Sequence, residues 1–189
     1  MVLHIISPIF CSSYVIVLII LGVKYYNQFV REKLKVEKAD SNIDVVRKKR
    51  FDLIPNLLEC VKKYMSYEQE TLEKIVQARS QYERAQTGHE KGMLEGILNS
   101  ELKNLFALAE NYPDLKADSQ FTNLQDELST VEGELVSMKN QYNEATRVYN
   151  ESIKVFPNNV FAAVFGFTQM QFIEIDDKEK ENVKIDFSK

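Results

Sequence analysis

The stretch that decides the fold is residues 121–156, FTNLQDELSTVEGELVSMKNQYNEATRVYNESIKVF, which carries the most regular apolar pattern in the chain. This pattern predicts one helix of about ten turns with a single apolar face. Asp118 and Ser119 are placed to cap its start, and Pro157 is placed to end it. Its apolar residues recur three and four apart, with Phe156 one heptad beyond the last of them: Phe121, Leu124, Leu128, Val131, Leu135, Met138, Tyr142, Ala145 and Tyr149.

Written as heptads, the same stretch also predicts how the helix packs. Four aromatic residues share one core position, and smaller residues alternate with them at the other. Such uneven layers suit an antiparallel bundle better than a parallel two-stranded coiled coil, which prefers Ile or Val beside Leu. The aromatic residues are Phe121, Tyr142, Tyr149 and Phe156, and the smaller set is Leu124, Val131, Met138 and Ala145.

Residues 24–87 predict further long helices, because they contain no glycine and a single proline, Pro55. One apolar stripe ends at Val46, before this proline, and another runs from Leu57 to Val76 after it. Proline lacks an N–H donor and crowds the preceding turn, so we expect a kink or a reversal of the chain at residues 50–56. Asp52 is placed to cap a new helix there.

The first 23 residues differ in kind from the rest. Residues 2–23 hold no charged side chain apart from the weakly basic His4. At about 1.5 Å per residue they reach roughly 33 Å, enough to cross a hydrocarbon core of about 30 Å. A cleaved signal peptide and a partly inserted segment are the alternatives, but the basic n-region and the small-residue cleavage site of a signal peptide are missing. We therefore predict a transmembrane anchor at residues 1–23. Lysine and arginine follow it and none precedes it, so the N-terminus should lie outside and the bundle in the cytoplasm.

Composition and motifs argue against several classes of function. The net charge is −4, so the protein as a whole repels polyanions and nucleic-acid binding is not expected. The two cysteines, Cys11 and Cys60, and the two histidines, His4 and His89, have no partner at metal-binding spacing. No phosphate-binding loop, dinucleotide fingerprint or nucleophile elbow occurs. We expect no enzymatic activity, no cofactor, no metal ion and no small-molecule substrate.

Two segments are less regular. The stretch GHEKGMLEG at residues 88–96 has glycines four apart among charged residues, which indicates a loop or the start of a helix. The tail, residues 173–189, is mixed in charge and alternates only weakly, so a solvated extension and a short docking strand both remain open. The expected organisation is an anchor at residues 1–23, a helical bundle at residues 24–172 and this tail.

Residues 47–57, RKKRFDLIPNL, place four cations directly before an apolar run. On a continuous helix Arg47 lies about 35 Å from Lys24, well beyond a Debye length of about 8 Å, so these cations do not sense a lipid surface unless the chain folds back. Lys48 has a carboxylate four residues to either side, the spacing of pairs along one helix. A solvated helical turn and a partner-binding patch both remain open.

Three runs of the sequence resemble the LemA family of bacterial membrane proteins. They are IDVVRKKRFDLIPNLLECVKKYMSYEQETLEKIVQAR at residues 43–79, YPDLKADSQFTNLQDEL at residues 112–128 and YNEATRVYNESIKVFPNNVFAAVFGF at residues 142–167. The resemblance covers about residues 24–172 and implies one N-terminal transmembrane helix followed by a soluble antiparallel bundle of four helices. It also implies that RKKRFDLIPNL belongs to a family signature. It implies no established biochemical activity.

We therefore predict an all-α protein in which an N-terminal transmembrane helix precedes an antiparallel four-helix bundle of the up-and-down type. The bundle is expected to act as an interaction or scaffold module for a protein partner. An adaptor in membrane-protein quality control or the envelope stress response is one alternative. A small-ligand binder or hydrolase with its site inside the bundle is another, although the E-x-x-H pattern of such sites does not occur. The candidate partner-binding residues are polar and lie near helix junctions, where helix capping and mutual pairing are the alternative roles: Arg50, Asp52, Asn56, Lys62, Arg79, Asp114, Lys116 and Gln125.

Overall fold

The computed structural model describes residues 2–65, 68–85 and 88–173, with side chains described from residue 16 on except at 88 and 89. Within these ranges the chain forms six helices and no strand, which confirms the all-α prediction. The chain divides into two compact units, one made of the residues up to Val45 and from Leu135 onward (unit 1), the other of Val46–Glu134 (unit 2). The helices are α1 (Val2–Lys62), α2 (Gln69–Arg84), α3 (Gly88–Ala109), α4 (Pro113–Lys116), α5 (Ser119–Lys154) and α6 (Asn158–Phe165).

Helix α1 continues through Pro55 and ends at Lys62. The chain therefore does not reverse at residues 50–56, and Asp52, expected to cap a new helix, lies inside α1, ten residues before its end. A proline in a helix interior costs about 3 kcal/mol, whereas burial of one large apolar side chain contributes about 1.5–3 kcal/mol. Ile54 and Leu57, on either side of the proline, are fully buried. Tertiary packing thus offsets the local cost of the proline.

The core of unit 2 is apolar and draws on α1, α2, α3, α4 and α5. The ring of Phe51 in α1 lies against the ring of Tyr82, near the end of α2, with centroids 4.3 Å apart. Because α2 begins shortly after the end of α1, this contact shows that α2 runs back along α1. The side chains with no exposed surface in this core are Ile54, Leu57, Val61, Met65, Ile75, Leu105 and Leu115.

Polar contacts of α1 with α3 give the direction of α3. Arg47 bonds to Glu95, and Arg50 bonds to Asn99. The residues occur in the same order along both helices. Helix α3 therefore runs parallel to α1 in unit 2.

Polar contacts of α1 with α5 give the direction of the fourth long helix. Lys49 lies 3.4 Å from Glu134, and the Tyr64 hydroxyl donates to Asp118 at 2.9 Å. Here the order along α5 is opposite to the order along α1, so the two helices are antiparallel. In unit 2 the segments of α1, α2, α3 and α5 therefore alternate in direction.

The start of α5 is as predicted. One carboxylate oxygen of Asp118 accepts the N–H groups of Gln120 at 2.7 Å and Phe121 at 3.4 Å. These bonds satisfy N–H groups that a helix start leaves without partners. Asp118 is therefore the N-cap residue of a 36-residue helix.

The apolar seam of α5 is confirmed over most of its length. It is buried from Phe121 to Leu135 and again at Tyr149. Phe156, however, is 82% exposed, so its assignment to the seam is wrong. The helix ends at Lys154, ahead of Pro157, and the heptad spacing no longer applies to a residue beyond the helix.

Unit 1 has a small aromatic core built from α1, α5 and α6. In it the rings of Tyr25 and Phe161 are 4.9 Å apart, and those of Phe29 and Phe167 are 5.2 Å apart. Helix α6 ends at Phe165, and the next residue, Gly166, has a left-handed φ of 74°, a conformation that glycine adopts without steric cost. The chain turns there, so that residues 167–173 lie along α5.

Two less regular segments were open in the sequence. The stretch GHEKGMLEG is the start of a helix, because α3 begins at Gly88. Of the tail predicted at residues 173–189, the residues from 174 onward lie outside the described part of the chain.

The membrane anchor is predicted at residues 1–23, and the side chains of residues 1–15 lie outside the described part of the chain. Across the residues that are described, no helix combines the length and the apolar character needed to cross a bilayer. The anchor stays a prediction.

Candidate interaction surface

Three of the four cations at residues 47–50, namely Arg47, Lys49 and Arg50, contact other helices of unit 2. Arg47 forms an ion pair with Glu95 of α3, and 13% and 7% of the two side chains are exposed. Lys49 reaches Glu134 of α5 at 3.4 Å, in a pair that is more than two-fifths exposed on both sides. The basic stretch is therefore neither a simple solvated turn nor a free basic patch, because it joins α1 to α3 and α5.

Arg50 is the most buried cation of this stretch, with 5% of its surface exposed. Its Nη1 lies 3.1 Å from Oε2 of Glu132 in α5, and its Nη2 donates to Oδ1 of Asn99 in α3. The Asn99 amide also donates to Oε1 of Glu132 at 3.3 Å. Because a buried guanidinium is tolerated only when it is paired and hydrogen-bonded, this network gives Arg50 a structural role. Arg50 therefore leaves the candidate partner-binding set.

The other predicted site residues are distributed over four helices, α1, α2, α4 and α5. Asp114 and Lys116 lie on α4, and Lys116 pairs with Glu110. Lys62 and Arg79 are brought together, because both line a groove between α1 and α2. Apart from Arg50, described above, the predicted site residues have exposed side chains, except Arg79, which is partly buried. They are Asp52, Asn56 and Lys62 on α1, Arg79 on α2, Asp114 and Lys116 on α4, and Gln125 on α5.

This groove has a volume of about 380 Å³ and mixes apolar with charged groups. A second depression of about 470 Å³ adjoins it and shares Lys62 and Val76 with it. Val76 is 48% exposed, so an apolar side chain stands open where the two meet. The groove is lined by Pro55, Leu58, Glu59 and Lys62 from α1 and by Val76, Arg79, Ser80 and Glu83 from α2.

Arg79 is a charged residue of this groove, and 31% of its side chain is exposed. Its Nη2 lies 3.3 Å from Oε1 of Glu83, one helical turn further on. Its Nε has no hydrogen-bond partner, but this atom is buried, so a group that enters the groove reaches it only if the side chain rearranges. An acceptor from a partner therefore meets Arg79 at the exposed part of its side chain.

A further polar cluster lies where α1 ends and α5 begins. A hydrogen bond from the Tyr64 hydroxyl and others from the N–H groups of Gln120 and Phe121 lower the pKa of Asp118. Burial, together with the nearby Asp118 carboxylate, raises the pKa of the Cys60 thiol. Cys60 is therefore a protonated thiol in the folded chain and not an activated nucleophile.

The interior of unit 2 bears on the alternative of a ligand site inside the bundle. Its core consists of apolar side chains. Within the described ranges no three His, Cys, Asp or Glu side chains converge to hold a metal ion. The polar groups of the Arg50 network are bonded to one another across α1, α3 and α5.

On the α2 side of the groove, sequence reasoning found Arg79 but missed Val76, Ser80 and Glu83. Val76 was assigned to the apolar stripe, whereas the structure leaves it half exposed and buries Ile75 and Ala78 beside it. The missed signal was a second set at helical spacing, since Val76, Ser80 and Glu83 lie four and three residues apart. A set that mixes one apolar with several polar side chains marks the edge of a buried stripe.

Two comparisons with known proteins agree with each other. The model of the LemA family matches residues 39–187 of this chain. Protein LemA of Metamycoplasma hominis is 25% identical over 165 residues, which cover 82% of this chain and 75% of that relative. The family match includes both sides of the groove and the Arg50 network, and it begins after the predicted anchor.

Proposed function

The chain belongs to the LemA family, and we propose that it is a membrane-anchored helical bundle whose α1–α2 groove binds a segment of a partner protein. It would act as an interaction or scaffold module and not as an enzyme. The groove supports this proposal better than the full polar set of the sequence analysis, because it gathers residues that the chain otherwise keeps apart.

The observation that carries the proposal is the lining of the groove. Pro55, Leu58 and Val76 supply apolar surface, and charged side chains surround them. An apolar centre with a polar rim is typical of protein–protein interfaces, in which arginine is enriched among the residues that contribute most to affinity. A partner segment would place an apolar side chain against Val76 and an acceptor oxygen beside the exposed part of the Arg79 side chain.

Photocrosslinking in native membranes tests the groove. A crosslinkable residue at Ser80, inside the groove, should give a discrete heavier adduct, and one at the exposed Gln125 of α5 should give none. Arg79→Met keeps the apolar stem and removes the donor, so it should abolish the adduct at Ser80. Equal adducts at both positions, or an adduct that persists in Arg79→Met, would count against the groove.

The anchor and its orientation are supported by the sequence. Residues 2–23 carry no charge apart from His4, and lysine and arginine occur only after them. We expect the chain to stay with membranes during alkaline carbonate extraction, and the bundle to be digested by protease only in inverted vesicles. Release of the intact chain by carbonate would overturn the anchor, and digestion from the outer face would overturn the orientation.

A further inference from the structure

Helix α5 contains the dipeptide Tyr-Asn twice, at residues 142–143 and 149–150, one heptad apart. In unit 1 both asparagines bond to residues 167–173. Nδ2 of Asn143 donates to the carbonyl oxygen of Ile173, and its Oδ1 accepts the N–H of the same residue, both at 2.8 Å. Asn150 makes the same two bonds with Met170, both at 2.9 Å. Each amide therefore pairs with both main-chain groups of one residue.

The tyrosines add two more bonds to the same segment. The Tyr142 hydroxyl donates to the carbonyl oxygen of Gln171 at 3.2 Å, and the Tyr149 hydroxyl donates to that of Thr168 at 2.9 Å. Burial raises the pKa of Tyr149, so its hydroxyl stays protonated and able to donate at neutral pH. All six bonds go to main-chain atoms. They do not depend on which side chains residues 168–173 carry.

We call Tyr142, Asn143, Tyr149 and Asn150 the Tyr-Asn clamp. Its two halves are separated by a helix rise of about 10.5 Å. Tyr142 and Asn143 bond residues 171 and 173, and Tyr149 and Asn150 bond residues 168 and 170. The residues bonded by the two halves are thus three positions apart in the segment, and three extended residues span about 10 Å. The segment is therefore close to fully extended, and its reversed order of contacts makes it antiparallel to α5.

Burial along the segment follows the same three-residue spacing. Phe167, Met170 and Ile173 are partly buried, whereas the residues between them are exposed. Phe172, for example, is 56% exposed although it is large and apolar. Two features thus suffice for a chain to fit: an apolar side chain at every third position, and main-chain N–H groups at the two positions that the asparagines bond.

We propose that the Tyr-Asn clamp is a binding site for an extended polypeptide, which residues 167–173 fill in the resting protein and which a segment of a partner protein fills when they leave. The partner segment is extended, apolar at every third residue and free of proline at the two positions bonded by Asn143 and Asn150. Recognition of an extended peptide through its main chain is a recurring mode of binding. The clamp lies in unit 1 and the α1–α2 groove in unit 2, so this inference is independent of the function proposed above.

The resident segment is suited to leave. It is short, and four of its seven side chains, at residues 168, 169, 171 and 172, are exposed, whereas Phe167 and Met170 pack against the aromatic core of unit 1. Such segments open locally at a small fraction of the free energy of global unfolding. Because the segment is tethered, its effective concentration is in the range of about 1 mM, and a free peptide competes poorly until the segment is displaced.

The test uses the full chain and a fluorescent peptide with the sequence of residues 166–173, GFTQMQFI. In the released variant, Met170→Pro with Ile173→Pro, the resident segment loses the two N–H groups that the asparagines accept. A matched control, Gln169→Pro with Gln171→Pro, keeps all six bonds to the clamp. By fluorescence anisotropy we expect the released variant to bind the peptide, and the natural chain and the control to bind it about tenfold more weakly or worse.

Peptide variants then test the clamp without altering the protein. A peptide with proline in place of Met170 and Ile173 should lose binding by about tenfold or more, because both N–H donors are gone. A peptide with alanine in place of Thr168, Gln169 and Gln171 should bind within about threefold of the original, since these side chains are exposed. Asn143→Leu with Asn150→Leu, added to the released variant, should weaken binding as the proline peptide does.

Three results would overturn the inference. The first is that the released variant fails to bind the peptide while its far-ultraviolet circular dichroism matches that of the natural chain. The second is that the proline peptide binds as well as the original. The third is that binding is lost when the exposed positions of the peptide are changed to alanine, which would mean that side chains and not the main chain are recognised.

Discussion

Replacing Arg50 by methionine is expected to lower the free energy of unfolding by about 2–4 kcal/mol. The Arg50 side chain is 6% exposed, and its guanidinium lies 3.1 Å from Glu132 and bonds Asn99. Removal of one partner from a buried charged network costs about 3–5 kcal/mol, because the remaining groups stay desolvated. Here 31% of the Glu132 side chain is exposed and can be rehydrated, so the loss falls toward the lower end. Methionine keeps most of the apolar stem, which limits the contribution of lost packing.

Lys49→Met is the matched control, because this neighbouring cation also pairs with a glutamate of α5. Its pair with Glu134 is 3.4 Å long and more than two-fifths exposed on both sides. Exposed pairs of this kind contribute about 0–1 kcal/mol, so we expect little change. Urea denaturation followed by circular dichroism gives both free energies by linear extrapolation. The melting temperature should fall by roughly 2–4 °C for each kcal/mol lost.

A double-mutant cycle decides whether the loss comes from the network. Arg50→Met combined with Glu132→Gln should show a coupling free energy of about 1 kcal/mol or more, because the two side chains are in contact. If Arg50→Met cost no more than Lys49→Met, or if the coupling were zero, the inference that this network stabilises unit 2 would be refuted.

Phe121 is 2% exposed and Phe156 is 82% exposed. Phe121→Ala should therefore lower the free energy of unfolding by about 3–5 kcal/mol, and Phe156→Ala by less than about 0.5 kcal/mol. Equal losses in urea denaturation would show that Phe156 belongs to the apolar seam of α5. Hydrogen bonds from a tyrosine hydroxyl and backbone N–H groups lower the pKa of Asp118, so its contribution to stability is present above the unfolded-state pKa and is lost as the pH falls through the folded-state pKa. Asp118→Asn keeps an oxygen that can cap the helix but does not titrate. Its melting temperature should therefore fall less between neutral and strongly acidic pH than that of the natural chain, and identical dependence of the two melting temperatures on pH would contradict this. Burial raises the pKa of Cys60, so in a Cys11→Ser variant a thiol reagent should label Cys60 only as urea unfolds the chain; rapid labelling without urea would show that the thiol is accessible.

The long helices could be predicted from the sequence because their apolar periods are regular over many turns. The observed α5, Ser119–Lys154, differs from the predicted 121–156 by two residues at each end. Of the two N-cap candidates, Asp118 and Ser119, Asp118 is the one that caps the helix. The wrong prediction for Phe156 comes from extending the heptad pattern past the end of α5. A heptad count does not register the end of a helix, which here precedes Pro157 by three residues.

Local rules misjudged α1 because they take no account of distant partners. The rule for Pro55 counts a lost N–H and a steric clash, but not the burial of Ile54 and Leu57 around it. The pairing rule for the basic stretch searches four residues away. The glutamates that Arg47 and Arg50 use lie on α3 and α5, beyond any helical spacing. Lys62 and Arg79, two of the predicted site residues, also meet through the fold and not through helical spacing. They line one groove because α2 runs back along α1.

The Tyr-Asn clamp illustrates a signal that was present and went unused. Heptad position predicted Tyr142 and Tyr149 as core aromatics, which accounts for the rings but not for the hydroxyls. A buried hydroxyl and a buried amide require hydrogen-bond partners, and the helix bonds its own carbonyl groups internally. The polar groups of Tyr149 and Asn150, which are buried, therefore need partners from outside the helix. The turn at Gly166 brings residues 167–173 there to supply them. The repeated Tyr-Asn pair is visible in the sequence, but its burial and its partners are not.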